Sequence, residues 1–279
     1  MESLKNATVI VTGASSGIGK ATALAVARRG ANVVVADLDD SGAGAVVEQI
    51  EALGVQALAI HSDVGDDNAF SVLRDETLTE FGRVDVVMNN AGVLTRGLPE
   101  EIPVAEWERV LNINLMSVVR SNAVFLPILL EQGSGHLVNT ASFAGLYSYA
   151  YDRTPYAASK AAIVQLSEAL VLYLRPRGIG VTVLCPGPVE TNIMASIRTF
   201  GQETATRGPG AQFGIKQPEE VGELVAEAIV ANTFMLPTDN QVVDVLVDRA
   251  RDWDGFITKS IAAWADTPIR PVPQSGASL

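Results

Sequence analysis

Tyr156 and Lys160 stand four positions apart in TPYAASKAA (154–162), a stretch otherwise made mostly of small and apolar residues. On a helix, residues at i and i+4 share one face. A free phenol ionises near pH 10, too high for an effective base at neutral pH, and an ammonium one turn away favours the phenolate. The pair can therefore work as a general base, or it can be a single polar contact on an ordinary helix. The spacing alone does not choose between these.

A second set of chemistry-bearing residues lies near the start of the chain. VTGASSGIGKA carries Gly13, Gly17 and Gly19 between a strand-like run and a helix-like run. Such a turn lets backbone approach a pyrophosphate closely and aims the N–H groups of a helix N-terminus at anionic oxygens. Asp37 closes the next apolar run, VVVAD, eighteen residues after Gly19. That is near the separation at which a carboxylate accepts hydrogen bonds from the adenosine ribose. A carboxylate there repels the 2′-phosphate of NADP, and no Lys or Arg follows in LDDSG, so the expected cofactor is NAD(H). The competing reading is that Asp37 caps the following helix, although Asp39 or Asp40 can do so equally well. Further along, HSDV (61–64) places Asp63 and Val64 toward the adenine. NNAG (89–92) supplies Asn90, Ala91 and Gly92 as a small-residue floor. These short motifs fall at successive strand ends, the edge where ligands bind in open α/β sheets.

The elements that must hold these residues alternate regularly. Strand-like runs occur at 7–12, 32–37, 55–60, 84–88, 136–141, 179–185 and 233–236. Helix-length windows lie between them at 17–29, 39–53, 66–81, 104–131, 155–175 and 218–231. Strands apolar at nearly every position are buried on both faces, which predicts an α/β fold with a doubly wound parallel sheet of about seven strands. No linker divides the chain, so a single Rossmann-like domain is expected over 1–266. It includes a long mobile loop at 187–217 and a C-terminal helical extension at 239–266. A Pro/Ser/Gly-rich tail, 267–279, follows as an extended arm.

Composition narrows the class. Hydrophobic residues make up 48% of 279, ample for a core, and the formal net charge of −12 disfavours nucleic acid and, more weakly, an anionic membrane surface. The single Cys185 excludes an internal disulfide framework and suits a reducing compartment; within VTVLC it reads as a buried hydrophobe. His61 and His136 have no ligand-spaced company, so no metal is expected. MESLKNATVIV leaves no room for a signal peptide, and AVFLPILL (123–130) is too short to cross a bilayer. A cytoplasmic protein is expected.

Taken together, TGASSGIG (12–19), NNAG, LNINL, a Ser after the fifth strand-like run, YAASK (156–160) and CPGPVET (185–191) resemble the short-chain dehydrogenase/reductase family in order and spacing. The resemblance covers roughly residues 5–195. It implies that Asn114, Ser142, Tyr156 and Lys160 form a catalytic tetrad. Tyr156 then exchanges the substrate proton, Ser142 holds the substrate oxygen, and Lys160 binds the nicotinamide ribose and tunes Tyr156. Asn114 distorts its helix to support a proton relay, and Asn112 points elsewhere. Gly13, Ser16, Ile18, Asp37, Asp63, Asn90, Val189 and Thr191 match cofactor-contacting positions, with Pro186 and Gly187 turning the chain over the nicotinamide.

Tyr147, Tyr149 and Tyr151 lack a lysine at i+4 and are read as pocket lining or loop packing. Ile193, Met194, Ile197, Phe200 and Phe213, with Phe143, Leu146 and Leu94, suggest an apolar substrate pocket. At the C-terminus TFMLPTDNQ replaces the family's Asp-Gly-Gly turn. Val243, Leu246, Ala250, Trp253, Ile257 and Ile261 recur there at helical spacing and predict a buried packing face. The implied activity is an NAD(H)-dependent interconversion of a secondary alcohol and a ketone, in a homodimer or homotetramer. A 3-oxoacyl-carrier-protein reductase and a non-catalytic dinucleotide sensor are the alternatives.

Overall fold

A computed structural model describes residues 2–193, 197–201 and 207–265. Its strands are β1 (Thr8–Thr12), β2 (Asn32–Asp37), β3 (Ala57–His61), β4 (Val86–Asn89), β5 (Thr95–Gly97), β6 (Gly135–Thr140), β7 (Ile179–Cys185), β8 (Arg198–Phe200) and β9 (Met235–Pro237). Seven of them form one parallel sheet in the order β3-β2-β1-β4-β6-β7-β9. The chain winds outward from β1 to β3, then returns to β4 on the other side of β1. That reversal opens a crevice above the β1 and β4 carboxyl ends, the binding place of doubly wound sheets.

Helices cover both faces, which is why the strands are apolar at successive positions. Val9 and Val11 of β1 face α1 (Gly17–Ala27), α2 (Asp40–Glu51) and α8 (Pro218–Ala231). Ile10 between them faces the opposite layer of α3 (Ala69–Phe81), α5 (Ser117–Gln132) and α7 (Thr154–Leu174). A third apolar cluster joins α7 to the short α6 (Phe143–Leu146) and to α9 (Val242–Arg251) and α10 (Trp253–Ala265).

Four features differ from the sequence expectation. The helix expected at 104–131 runs as α4 (Val104–Leu111), a π turn at Asn112–Met116, and then α5. The 187–217 loop contains β8, which pairs in parallel with β5 in a separate two-stranded sheet and so ties the loop to the segment after β4. The C-terminal helix is two helices, broken at Asp252. Its expected packing stripe is largely outside: Val243, Trp253, Ile257 and Ile261 are exposed, while Leu246 packs inward with Phe256. Met194 and the tail 267–279 lie outside the described residues.

By length and composition, the helical stretches Val104–Gln132 and Thr154–Arg177 could each cross a bilayer. AVFLPILL is thus part of a longer apolar helix than its own length suggests. Both stretches nonetheless lie against the sheet through Phe125, Leu129, Ile163 and Leu174.

Candidate active site

The turn after β1 is closed by its glycines. Gly13 and Gly17 have φ of 64° and 53°, conformations that L side chains rarely adopt. A Cβ on Gly19 would sit 2.1 Å from the Gly13 carbonyl oxygen, so α1 starts flush against the turn. Ser16 precedes α1 in extended conformation, and no side chain caps the helix. Its first N–H groups are left to an anion in the crevice. Asn90 laces β4 to this turn: its Nδ2 donates to the carbonyls of Thr12 (3.0 Å) and Gly13 (3.2 Å).

Asp37 ends β2 at the same edge. Its carboxylate accepts from the backbone N–H of Ser15 (2.8 Å) and of Asp39 (3.1 Å). The cap of α2 is Asp39, whose side chain accepts from the Gly42 N–H at 3.0 Å, which removes the capping alternative for Asp37. Asp63 is exposed, turns its carboxylate onto the Gly65 N–H (2.9 Å) and does not line the crevice, and Val64 is a core residue.

The π turn sets Asn114 inside the protein. Its Oδ1 accepts from the Val93 N–H at 2.8 Å, and its Nδ2 donates to the Val93 carbonyl and to Ser159 Oγ, both at 3.0 Å. An amide so fully satisfied fixes the segment after NNAG to α7, and Ser159 is the residue before Lys160. Asn112 faces outward, where its amide meets the Gly65 carbonyl and Arg120.

On α7, Lys160 Nζ donates to the Thr140 carbonyl at 2.7 Å and lies 5.7 Å from the Tyr156 ring centroid. Ser142, just after β6, accepts from the Ala144 N–H at 3.2 Å, lines the same crevice as Tyr156 and favours its phenolate. Burial pushes the Tyr156 phenol up to about 12, against the opposing pull of Ser142 and Arg153. Burial lowers Lys160 to about 8. The sequence expectation concerns Lys160 acting together with a bound NAD⁺; in the protein alone, burial is the largest cause of both shifts. Cys185 is buried as expected; burial raises its thiol to about 12 and the Lys160 charge opposes that rise.

A crevice of about 430 Å³ brings these pieces together. At one end are Gly13, Ser16, Gly17, Ile18 and Asp37. Asn90, Ala91 and Gly92 form its middle, and Ser142, Tyr156 and Lys160 stand at the far end. Pro186, Gly187, Val189 and Thr191 close it from the β7 side, with Ile193 beside them. Gly187 donates its N–H to Thr238 Oγ1 at 2.9 Å, and Val189 bridges to Lys216. Gly19 and Asn114 support the crevice without lining it. Ser15, Val93, Thr140 and Asn192 also line it; the sequence reading did not select them, and backbone or loop positions such as these carry little side-chain signal.

The apolar pocket expected from the loop is not built as read. Phe143 and Phe213 are buried against each other, ring centroids 5.1 Å apart, and Phe200 belongs to β8. Instead a second cavity, about 490 Å³, lies between the 147–149 loop, residues 207–212 and the two C-terminal helices. Its walls mix Tyr149, Phe256 and Val245 with Arg207, Asp248 and Lys259.

A doubly wound parallel sheet with an uncapped glycine turn at its switch point, and a serine, tyrosine and lysine converging at the far end, defines a nucleotide-binding oxidoreductase class. Within it, the short chain dehydrogenase family matches residues 7–201, and the chain belongs to that family of oxidoreductases acting on CH–OH and keto groups. It is 32% identical over 223 residues to a 3-oxoacyl-[acyl-carrier-protein] reductase of Thermotoga maritima, covering 80% of this chain and 89% of that one. It is 37% identical over 252 residues to the 1-deoxy-11-beta-hydroxypentalenate dehydrogenase of Streptomyces exfoliatus, covering 89% of each. Among solved structures, a short chain dehydrogenase/reductase from Burkholderia phymatum in complex with NAD superposes with a TM-score of 0.81 at 30% identity, both chains covered in full.

Proposed function

We propose that the protein is an NAD(H)-dependent dehydrogenase and ketoreductase that interconverts a secondary alcohol and a ketone carried on a medium or bulky hydrophobic body. The observation that carries this reading is the single crevice with the Asp37 carboxylate at one end and Ser142, Tyr156 and Lys160 at the other. The crevice fits a dinucleotide chemically. Glycines stand where a Cβ would crowd the turn, α1 offers unpaired N–H groups to phosphate, and Asp37 can accept from ribose hydroxyls while repelling a 2′-phosphate. The NAD-bound relative from Burkholderia supports the same choice.

When bound, the nicotinamide supplies the hydride acceptor or donor. Tyr156 takes the alcohol proton in oxidation and returns it in reduction, while Ser142 donates to the substrate oxygen. Lys160, oriented by the Thr140 carbonyl, holds the nicotinamide ribose and keeps positive charge beside the phenol. Asn114 fixes the segment these residues lean on. Val189 and Thr191 close over the crevice and exclude water. The second cavity and the 1-deoxy-11-beta-hydroxypentalenate named for the Streptomyces relative favour a substrate larger than a simple alcohol.

Assembly into a homodimer or homotetramer is part of the proposal. Leu172 and Tyr173 on α7 and Trp253 and Ile261 on α10 are apolar side chains left at the surface.

A 3-oxoacyl-carrier-protein reductase is the second reading, favoured by the Thermotoga relative. The net charge of −12 opposes docking of an acidic carrier protein. Initial rates with NADH and NADPH across a panel of cyclic ketones and an acetoacetyl thioester separate the readings. NADH is expected to be preferred by about tenfold or more, and Asp37→Ala is expected to erase most of that preference. A preference for NADPH overturns the coenzyme assignment. Turnover of the thioester alone favours the second reading, and NADH binding without turnover of anything on the panel points to a sensor.

A further inference from the structure

Asp152 has no exposed surface, yet no step of the proposed reaction uses its carboxylate. Its two oxygens are divided between two elements. Oδ2 accepts from Arg96 of β5, from Nε at 2.9 Å and from a terminal nitrogen at 2.7 Å. Oδ1 accepts from Nε of Arg153 at 3.0 Å. The Asp152 carbonyl accepts the Gly97 N–H at 2.9 Å, so backbone as well as side chain is bound to β5. Both guanidiniums are sheltered, with the Arg96 side chain 13% and the Arg153 side chain 11% exposed. Charge-assisted bonds made away from water are the strong ones, and a carboxylate bonded through both oxygens is held in one orientation.

The place of this knot in the fold gives it a use. Arg153 is the residue from which α7 starts, and its carbonyl accepts the Ala157 N–H at 3.0 Å, closing the turn that contains Tyr156. Its side chain does not cap the helix. A first turn without a cap frays, because its N–H groups have no partner within the helix. Near the other end of that turn, Ser159 takes a bond from Asn114, whose amide also holds both backbone polar groups of Val93. The segment from Val93 to Gly97 is thus stapled to α7 twice. Asn114 joins Val93 to Ser159, and Asp152 joins Arg96 and Gly97 to Arg153. Tyr156 lies between the two staples. A further tie runs from Arg153 to the Arg207 carbonyl at 3.2 Å, which adds the 187–217 loop to the same knot.

We propose that Asp152 is a positioning residue that, with Arg96 and Arg153, holds the first turn of α7 against β5 and so fixes the Tyr156 phenol where the substrate proton is exchanged. A buried ion pair is weak evidence of stability, since apolar residues of similar volume often do as well. Placement is a different matter, because a reacting group displaced by about 1 Å can lose about a hundredfold in rate. Asn114 alone holds the turn at one end and leaves the other free to swing. Asp152 supplies the second point, and two points fix the direction of the segment between them.

The role in proton exchange rests on the alcohol/ketone reading, and the test has one arm that does not. Arg96→Met removes the β5 arm and leaves Asp152 paired with Arg153, whereas Asp152→Asn takes the charge from both bonds. In the cofactor-free protein, amide hydrogen exchange over 153–160 is expected to run roughly tenfold faster in Arg96→Met, with 165–174 unchanged. Unchanged exchange over 153–160 overturns the staple. In the kinetic arm, the single-turnover rate of NADH formation, which reads the chemical step, is expected to fall roughly tenfold with the affinity for NAD⁺ unchanged. A lower melting temperature with a wild-type single-turnover rate marks a merely structural role and overturns the positioning. Asp152→Asn, where it folds, is expected to lose more than Arg96→Met, and a smaller loss overturns the assignment to Asp152. Faster exchange in a protein that turns over no alcohol or ketone sinks the functional reading and leaves the staple standing.

Discussion

Burial acts on Tyr156 and Lys160 in opposite senses, raising one to about 12 and lowering the other to about 8, and each shift favours the neutral form. Neither side chain alone is then a strong reagent, and the work of stabilising charge falls to groups aimed at them: Ser142, Arg153 and the Thr140 carbonyl. Tyr156→Phe removes the hydroxyl to which the proposed function assigns proton exchange and leaves the crevice shape intact. Turnover is expected to drop roughly a thousandfold while NADH affinity, read by fluorescence titration, stays within about threefold. Lys160→Met is expected to weaken both, because Nζ is itself part of the crevice wall. At this scale the sequence was informative wherever chemistry follows local spacing, as in the glycines of the first turn, Asp37 and the Tyr/Lys pair. It was silent where a role comes from a distant partner. Nothing in YAASK announces the Thr140 carbonyl.

At the scale of elements, the long parallel strands were legible because both of their faces are buried and apolar residues run without alternation. Helix irregularities were not. The π turn at Asn112–Met116 exists because Asn114 bonds to Val93 and Ser159, partners 21 and 45 residues away, which no local pattern encodes. The β5–β8 pair is three residues per strand, too short for any periodicity. The exposed stripe of α9 and α10 shows the converse error, since helical spacing of apolar residues marks a face and says nothing of what covers it. Helix contact also decides a prediction on α8. Gly222 lies against α1, and a Cβ there would meet the Ala21 carbonyl carbon at 2.5 Å. Gly222→Ala gains about 1 kcal/mol in helix propensity but overpacks a backbone contact costing about 1–3 kcal/mol, and backbone cannot rotate away as a side chain can. The variant is expected to be less stable, by a lower urea midpoint with an unchanged slope.

For the molecule as a whole, the β6–β7–β9 half of the sheet carries a titratable group that the active site does not use. His136, at the start of β6, is fully buried, and its Nε2 meets Thr182 Oγ1 of β7 at 2.8 Å. Thr182 passes a hydrogen bond on to the Thr233 carbonyl at 2.6 Å, so one polar thread crosses from β6 to the segment leading into β9. Among the described residues no charged partner is paired with the ring. Burial, aided by the charge of Arg175, depresses its pKa to about 3. In the unfolded chain the same imidazole titrates near 6.5. Between those values the unfolded state binds the extra proton, so stability is complete above pH 6.5 and falls as the pH drops toward 3. At pH 5 the loss from this one group is about 2 kcal/mol. Denaturation at pH 7 and pH 5 should therefore differ more in the wild type than in His136→Gln, which keeps a hydrogen-bonding group near Thr182 but cannot titrate. Equal pH slopes for the two proteins would mean that the ring can reach water or a carboxylate without unfolding the β6–β7–β9 edge.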